Sequence, residues 1–141
     1  MHSEQQTELF VALLSQASRS VTRLYRRYLT EADLTPRQFQ ILMEVGRNPS
    51  ARMIELAEAL SLDRTTLVRE TQPLLRRGYI EASVEARRRQ HISLTPQGTE
   101  RLEEGLARCA LAEEFLESSF GQDRMSQLMI ELRAVISATH D

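Results

Sequence analysis

The sequence predicts a mainly α-helical fold carrying one small β-hairpin, and three observations predict it. Long segments near each terminus repeat apolar residues at helical spacing. Between them, residues 53–60 form a short amphipathic stretch, Ser61-Leu62-Asp63 breaks it, and a second helix opens with Arg64-Thr65-Thr66. An Arg-rich tip at residues 85–89 then separates two short alternating runs. Helix, tight turn, polar-headed helix and basic hairpin is the order of a winged helix-turn-helix, whose second helix enters the DNA major groove while the hairpin reaches the adjacent minor groove. Sequence-specific binding of double-stranded DNA is the function this order implies.

Charge supports it by distribution, not by total. Net charge is −2 over 141 residues, but residues 64–89 hold seven Arg against three Glu, a surplus of four that leaves −6 for the rest. Positive charge sits where a duplex would dock, and the acidic remainder discourages indiscriminate phosphate binding. All eighteen basic residues are Arg, which suits bidentate contacts to guanine or phosphate, though codon bias explains it at least as well.

Length and composition bound the rest. A chain with 41% hydrophobic residues can bury one core, and nothing divides residues 1–141 into two domains. A single Cys fits a reducing cytoplasm. The N-terminus reads as no signal peptide, and no apolar run approaches the roughly 20 residues needed to span a bilayer.

Taken in order, the first helix covers residues 7–29. Phe10, Leu14, Ala17, Val21, Leu24 and Tyr28 form a heptad seam, widened by Leu9, Leu13, Tyr25 and Leu29. Pattern alone leaves two roles open, packing on its own domain or dimerisation. The next helix starts at Thr35-Pro36-Arg37-Gln38, where Thr35 caps, Pro36 takes the first helical position and Gln38 completes a capping box. It buries Phe39, Leu42 and Met43 and stops near Gly46. Ile54, Ala57 and Leu60 are the expected inward face of the first helix of the helix-turn-helix.

In the recognition helix, residues 64–77, Asp63 is the expected N-cap and Leu67, Thr71, Leu74 and Leu75 point inward. That leaves Arg64, Thr65, Thr66 and Arg69 on the turns that reach base edges. Pro73 should kink the helix and Gly78 end it. The wing covers residues 79–94, with Ile80, Ala82, Ile92 and Leu94 inward. Thr95-Pro96 repeats the earlier helix start. Beyond it Leu102, Leu106, Cys109, Leu116 and Phe120 form one stripe, and Met125, Leu128, Leu132 and Ile136 another after Gly121.

Other chemistry finds little to start from. His2, His91 and His140 are too scattered for a metal site, and no cofactor motif appears. Glu103-Glu104 and Glu113-Glu114 read as solvated helix faces, and Cys109 as a small buried hydrophobe. The chain is not expected to be an enzyme. Two rival functions are a redox sensor acting through Cys109 and a winged-helix protein-interaction module without DNA readout, which should have lost the Arg residues at 64, 69 and the wing tip.

The run LAEALSLDRTTLVRETQPLLRRGYIEASVEARRRQHISLTPQG resembles the MarR (multiple antibiotic resistance regulator) family, in its helix-turn-helix, its wing and the Leu94, Thr95 and Gly98 that follow. Two departures stand out. Family wings usually carry Asp-x-Arg at the tip, where this chain has Ala86-Arg87-Arg88, and Ser61 occupies a turn position often filled by Gly. The resemblance implies a homodimeric repressor in which helices over residues 7–30 and 100–138 interlock around a winged lobe at 35–98. Phe10, Leu14, Ala17, Val21, Leu116, Phe120, Leu128, Leu132 and Ile136 would then lie in the dimer interface. Arg37, Arg64, Thr65, Thr66, Arg69, Arg87, Arg88 and Arg89 would contact a pseudo-palindromic operator. A small aromatic or carboxylate effector would bind between dimer helices and lobe, where Arg23, Tyr25, Phe39 and Met43 are the expected pocket.

Overall fold

The computed structural model describes residues 2–84 and 90–140. Six helices and three strands run in the order α1 (His2–Leu29), α2 (Pro36–Arg47), β1 (Ala51–Arg52), α3 (Met53–Ala59), α4 (Arg64–Arg76), β2 (Ile80–Val84), β3 (Gln90–Leu94), α5 (Pro96–Phe120) and α6 (Gln122–Thr139). The fold is mainly α with a small antiparallel sheet. A 3₁₀ turn at Thr30–Ala32 joins α1 to α2.

Side-chain caps fix where the helices start. The Thr35 hydroxyl accepts the Gln38 N–H while the Gln38 amide oxygen accepts the Thr35 N–H, with Pro36 behind them. Such a box satisfies two donors that have no partner within the helix. Thr95 caps α5 by accepting the Gly98 N–H, and its own hydroxyl donates to the Gly78 carbonyl.

Backbone closure fixes where three of them stop. After the 3₁₀ turn, α3 and α4 the chain turns left-handed at Asp33 (φ 57°), Ser61 (φ 53°) and Gly78 (φ 74°). Each turn pairs a residue's N–H with a carbonyl three back and the next N–H with one five back: Ser61 to Glu58 and Leu62 to Ala57, Gly78 to Leu75 and Tyr79 to Leu74, Asp33 to Thr30 and Leu34 to Leu29. These are Schellman closures, for which glycine is the unstrained residue. Only one of the three has it.

Leu29, Ile41, Leu42, Leu56, Leu67, Leu74, Ile80 and Ile92 form the fully buried centre, drawn from α1 to α4 and the sheet. The sheet order is β1-β3-β2, with Ala51 opposite Ile92 and Ile80 opposite Leu94. Two close approaches set α5 against this lobe. A Cβ on Gly105 would come within 2.7 Å of the Phe39 ring, and one on Gly98 within 1.8 Å of the Tyr79 carbonyl oxygen. α6 is different, for none of its residues is buried.

Two expectations are corrected, and two features are added. Ile54 is 58% exposed, and Leu56 joins Ala57 and Leu60 on the inner face of α3. Ala82 is exposed on the edge strand β2 although its partner Ile92 is buried. β1 was not expected, and α4 runs through Pro73 to Arg76 with Arg77 as its cap.

Candidate nucleic-acid interface and adjoining cavity

α4 is held by an apolar underside and a polar start. Leu67, Thr71 and Leu74, spaced four and three apart, are buried against the core, and the Thr71 hydroxyl is satisfied by the Val68 carbonyl at 2.9 Å. Asp63 holds the start, accepting the Thr66 N–H at 2.6 Å. That bond, with the Thr66 hydroxyl and the Arg69 charge, holds the Asp63 carboxyl below its ordinary range.

With the underside fixed, Arg64, Thr65 and Arg69 are exposed on the first two turns. Thr66 is only half-exposed and is occupied with the cap, so it takes a structural role beside any contact role. Arg37 is half-buried at the head of α2, lining a cleft of about 520 Å³ with Arg26 and Glu70. Arg77, counted in the basic surplus, is held back by Asp33, its guanidinium donating to that residue's carbonyl at 3.1 Å and carboxylate at 3.3 Å. Arg87, Arg88 and Arg89 lie outside the described residues. Behind the helix-turn-helix, His91 on β3 sits 2.6 Å from the Ser50 carbonyl through Nδ1, and the Arg52 guanidinium holds Glu55 at 2.8 Å, together fixing the wing base to the start of α3.

A second feature lies on the far side of α2. A cavity of about 390 Å³ between α1, α2 and α5 is lined by Tyr25, Phe39, Met43, Leu106, Cys109 and Glu113, among others. Arg23 does not line it, since its guanidinium turns to Ser20. Glu113 is exposed, as expected of the Glu113-Glu114 helix face, but the sequence carried no signal for its tie to Tyr25. In the fold its carboxylate accepts from the Tyr25 hydroxyl at 3.4 Å. Burial, then the Glu113 charge, pushes the Tyr25 phenol up to about 12, and the same two causes push the Cys109 thiol up to about 11. Both are protonated at neutral pH. A thiol near 11 is thiolate in roughly one molecule in ten thousand at pH 7, which argues against peroxide sensing at Cys109.

Among the described residues no His, Cys, Asp and Glu group could hold a metal ion, and no helix is long and apolar enough to cross a membrane.

A helix-turn-helix with an exposed Arg/Thr head and a β-hairpin packed behind it defines a winged-helix DNA-binding protein. Comparisons with known proteins narrow the class. Residues 32–89 match the sequence model of the MarR family. The transcriptional repressor CouR bound to a 23-mer DNA duplex is 25% identical with a TM-score of 0.86, over 93% of this chain and 94% of that one. CouR bound to p-coumaroyl-CoA is 24% identical with a TM-score of 0.83, over 96% and 95% of the two chains. A mutant of MarR from E. coli complexed with operator DNA is 22% identical with a TM-score of 0.84, over 93% and 96%. No curated protein matches the sequence significantly. The winged lobe thus carries the sequence pattern of the MarR family, on a chain with the fold of these winged-helix transcriptional regulators.

Proposed function

We propose that this regulator is a homodimeric repressor acting in the cytoplasm, which reads a pseudo-palindromic operator and is released by a small amphipathic effector. The observation that carries the DNA-reading part is the head of α4, where Arg64, Thr65 and Arg69 are exposed on a helix whose opposite face is buried and whose start is capped. CouR bound to a DNA duplex and E. coli MarR complexed with operator DNA share this fold, which supports a DNA-binding role. Arg87, Arg88 and Arg89 supply the charge expected of a wing.

The dimer part rests on apolar surface. Phe10, Leu14 and Val21 on α1 and Leu128, Leu132 and Ile136 on α6 are all exposed large hydrophobics; Ala17 is exposed beside them, and Leu116 and Phe120 are half-covered. An 18-residue helix with no buried residue gains little from its own protomer, so a second copy covering it accounts for its apolar content. The effector part rests on the cavity. Its walls are apolar apart from a few polar groups, the usual make-up of a small-molecule site. Glu113, the one charged lining residue, favours a ligand whose polar end donates a hydrogen bond over one ending in carboxylate. CouR bound to p-coumaroyl-CoA supports a ligand-gated reading.

The test is selection of duplexes from a random pool with purified protein, followed by anisotropy titrations of wild type and Arg69→Ala. Arg69→Ala should cost about 1 to 3 kcal/mol on the selected duplex and relax preference at one base pair. Equal weakening on selected and random duplexes would make Arg69 a phosphate contact, and no selected sequence at all would overturn the function.

A further inference from the structure

Val68 is 40% exposed on the recognition helix, and nothing in the fold accounts for it. A single exposed apolar residue is ordinary on a protein surface, but valine is a weaker helix former than the Arg, Gln or Ala an exposed helical position otherwise favours. The dimer surface does not claim it, since that surface lies on α1, α5 and α6. Its place on α4 is specific. At about 3.6 residues per turn, Thr65, Val68, Arg69 and Gln72 fall within about 100° of arc, and all four are exposed while Leu67, Thr71 and Leu74 occupy the buried side.

We infer that Val68 reads a thymine, packing its γ-methyl groups on the C5 methyl that only thymine presents in the major groove. This rests on the DNA-reading function proposed above. In the major groove a T·A pair differs from a C·G pair partly by that methyl, and apolar side chains recognise it by contact. Valine suits the task because branching at Cβ leaves it one strongly preferred rotamer in a helix, so little freedom is lost on contact. The backbone beneath is fixed as well, by buried Leu67 and by the Thr71 hydroxyl on the Val68 carbonyl. Arg64 and Arg69 are suited to guanine, so an apolar reader between them adds a base type their guanidinium groups do not recognise.

The test replaces each thymine of the selected duplex singly by deoxyuridine, which removes the methyl and leaves the base pairing unchanged. Affinities of wild type and Val68→Ala are then measured. Ala is the better helix former at an exposed site, so the variant should melt at or above the wild-type temperature. At one thymine per half-site, wild type should lose about fourfold in affinity on the uracil duplex, the worth of about one buried methyl group. Val68→Ala should bind the thymine and uracil duplexes equally while still preferring both to random DNA. Loss of discrimination in the variant alone supports the inference. Wild-type indifference to uracil at every thymine, or discrimination undiminished in Val68→Ala, overturns it and leaves the regulator function standing. Failure of wild type to select any sequence sinks the function and this inference together.

Discussion

Ser61 and Asp63 sit two residues apart in the turn of the helix-turn-helix and show what single residues contribute. Asp63 was legible because a short polar side chain before a helix start has one common use, and the structure gives it that use. Ser61 was legible by contrast with the Gly expected there, and its φ of 53° is the left-handed backbone a side chain disfavours. Ser61→Gly should therefore stabilise the protein by about 0.5 to 1 kcal/mol in urea unfolding, with DNA affinity unchanged. A loss of stability would show that the serine makes a compensating contact. The exposure of Glu113 was legible but its partner was not, because nothing in the sequence shows that α1 brings Tyr25 against it. Its pairing has a pH signature. Tyr25 and Cys109 are raised from 10.0 to about 12 and from 9.0 to about 11, so both favour the folded state below their ordinary values. That contribution fades as pH rises from about 9 to about 12. Asp63 and Glu55 are lowered, so their contribution is present above the ordinary carboxylate range and is lost as pH falls through their folded values. Thermal melts should show a neutral plateau with losses on both flanks, and Glu113→Gln should soften the alkaline one. Cys109 should alkylate slowly at pH 8 in the folded protein and rapidly in urea.

At the scale of elements, α2, α4 and α5 were legible because each carries a chemical start signal, at Thr35, Asp63 and Thr95. α3 was placed but its face was misread. Seven residues make about two turns, too few for periodicity to choose between Ile54 and Leu56. β1 is two residues long and carries no alternation; it exists because β3 offers it a free edge. Ala82 has the right parity for an inward residue, but it lies on an edge strand. The joint between wing and α5 is close-packed. Thr95 ties α5 to the Gly78 and Tyr79 carbonyls, and Gly98 leaves no room for a Cβ. Gly98→Ala should cost at least about 2 kcal/mol, since backbone must move to admit a methyl group. Gly46→Ala is the control: its added Cβ meets only side-chain ends, Leu102 at 3.0 Å and Leu94 at 3.4 Å, and alanine favours the helix. Equal effects of the two substitutions would contradict the tight joint.

For the whole molecule, the decisive feature is apolar surface that one protomer leaves uncovered on α1, α5 and α6. The sequence showed the stripes, but not that one chain leaves them exposed, which depends on how α6 leaves the lobe at Gly121 and is not encoded in periodicity. In the proposed dimer, two copies paired through these helices would form one body bearing two DNA-reading lobes, and the cavity between α1, α2 and α5 lies where a lobe joins that body. On the proposed function, a ligand there would act by favouring a spacing of the two α4 helices that the operator does not fit. A hundredfold loss of DNA affinity needs about 2.7 kcal/mol of such coupling, within the usual range for two linked sites. Whether two protomers read a two-fold site is decided by sedimentation of the protein with its selected duplex, combined with hydroxyl-radical footprinting. Two protomers per duplex, with protection on two half-sites about 10 base pairs apart and related by a dyad, is the expected result. One protomer bound to a site without dyad symmetry would contradict it.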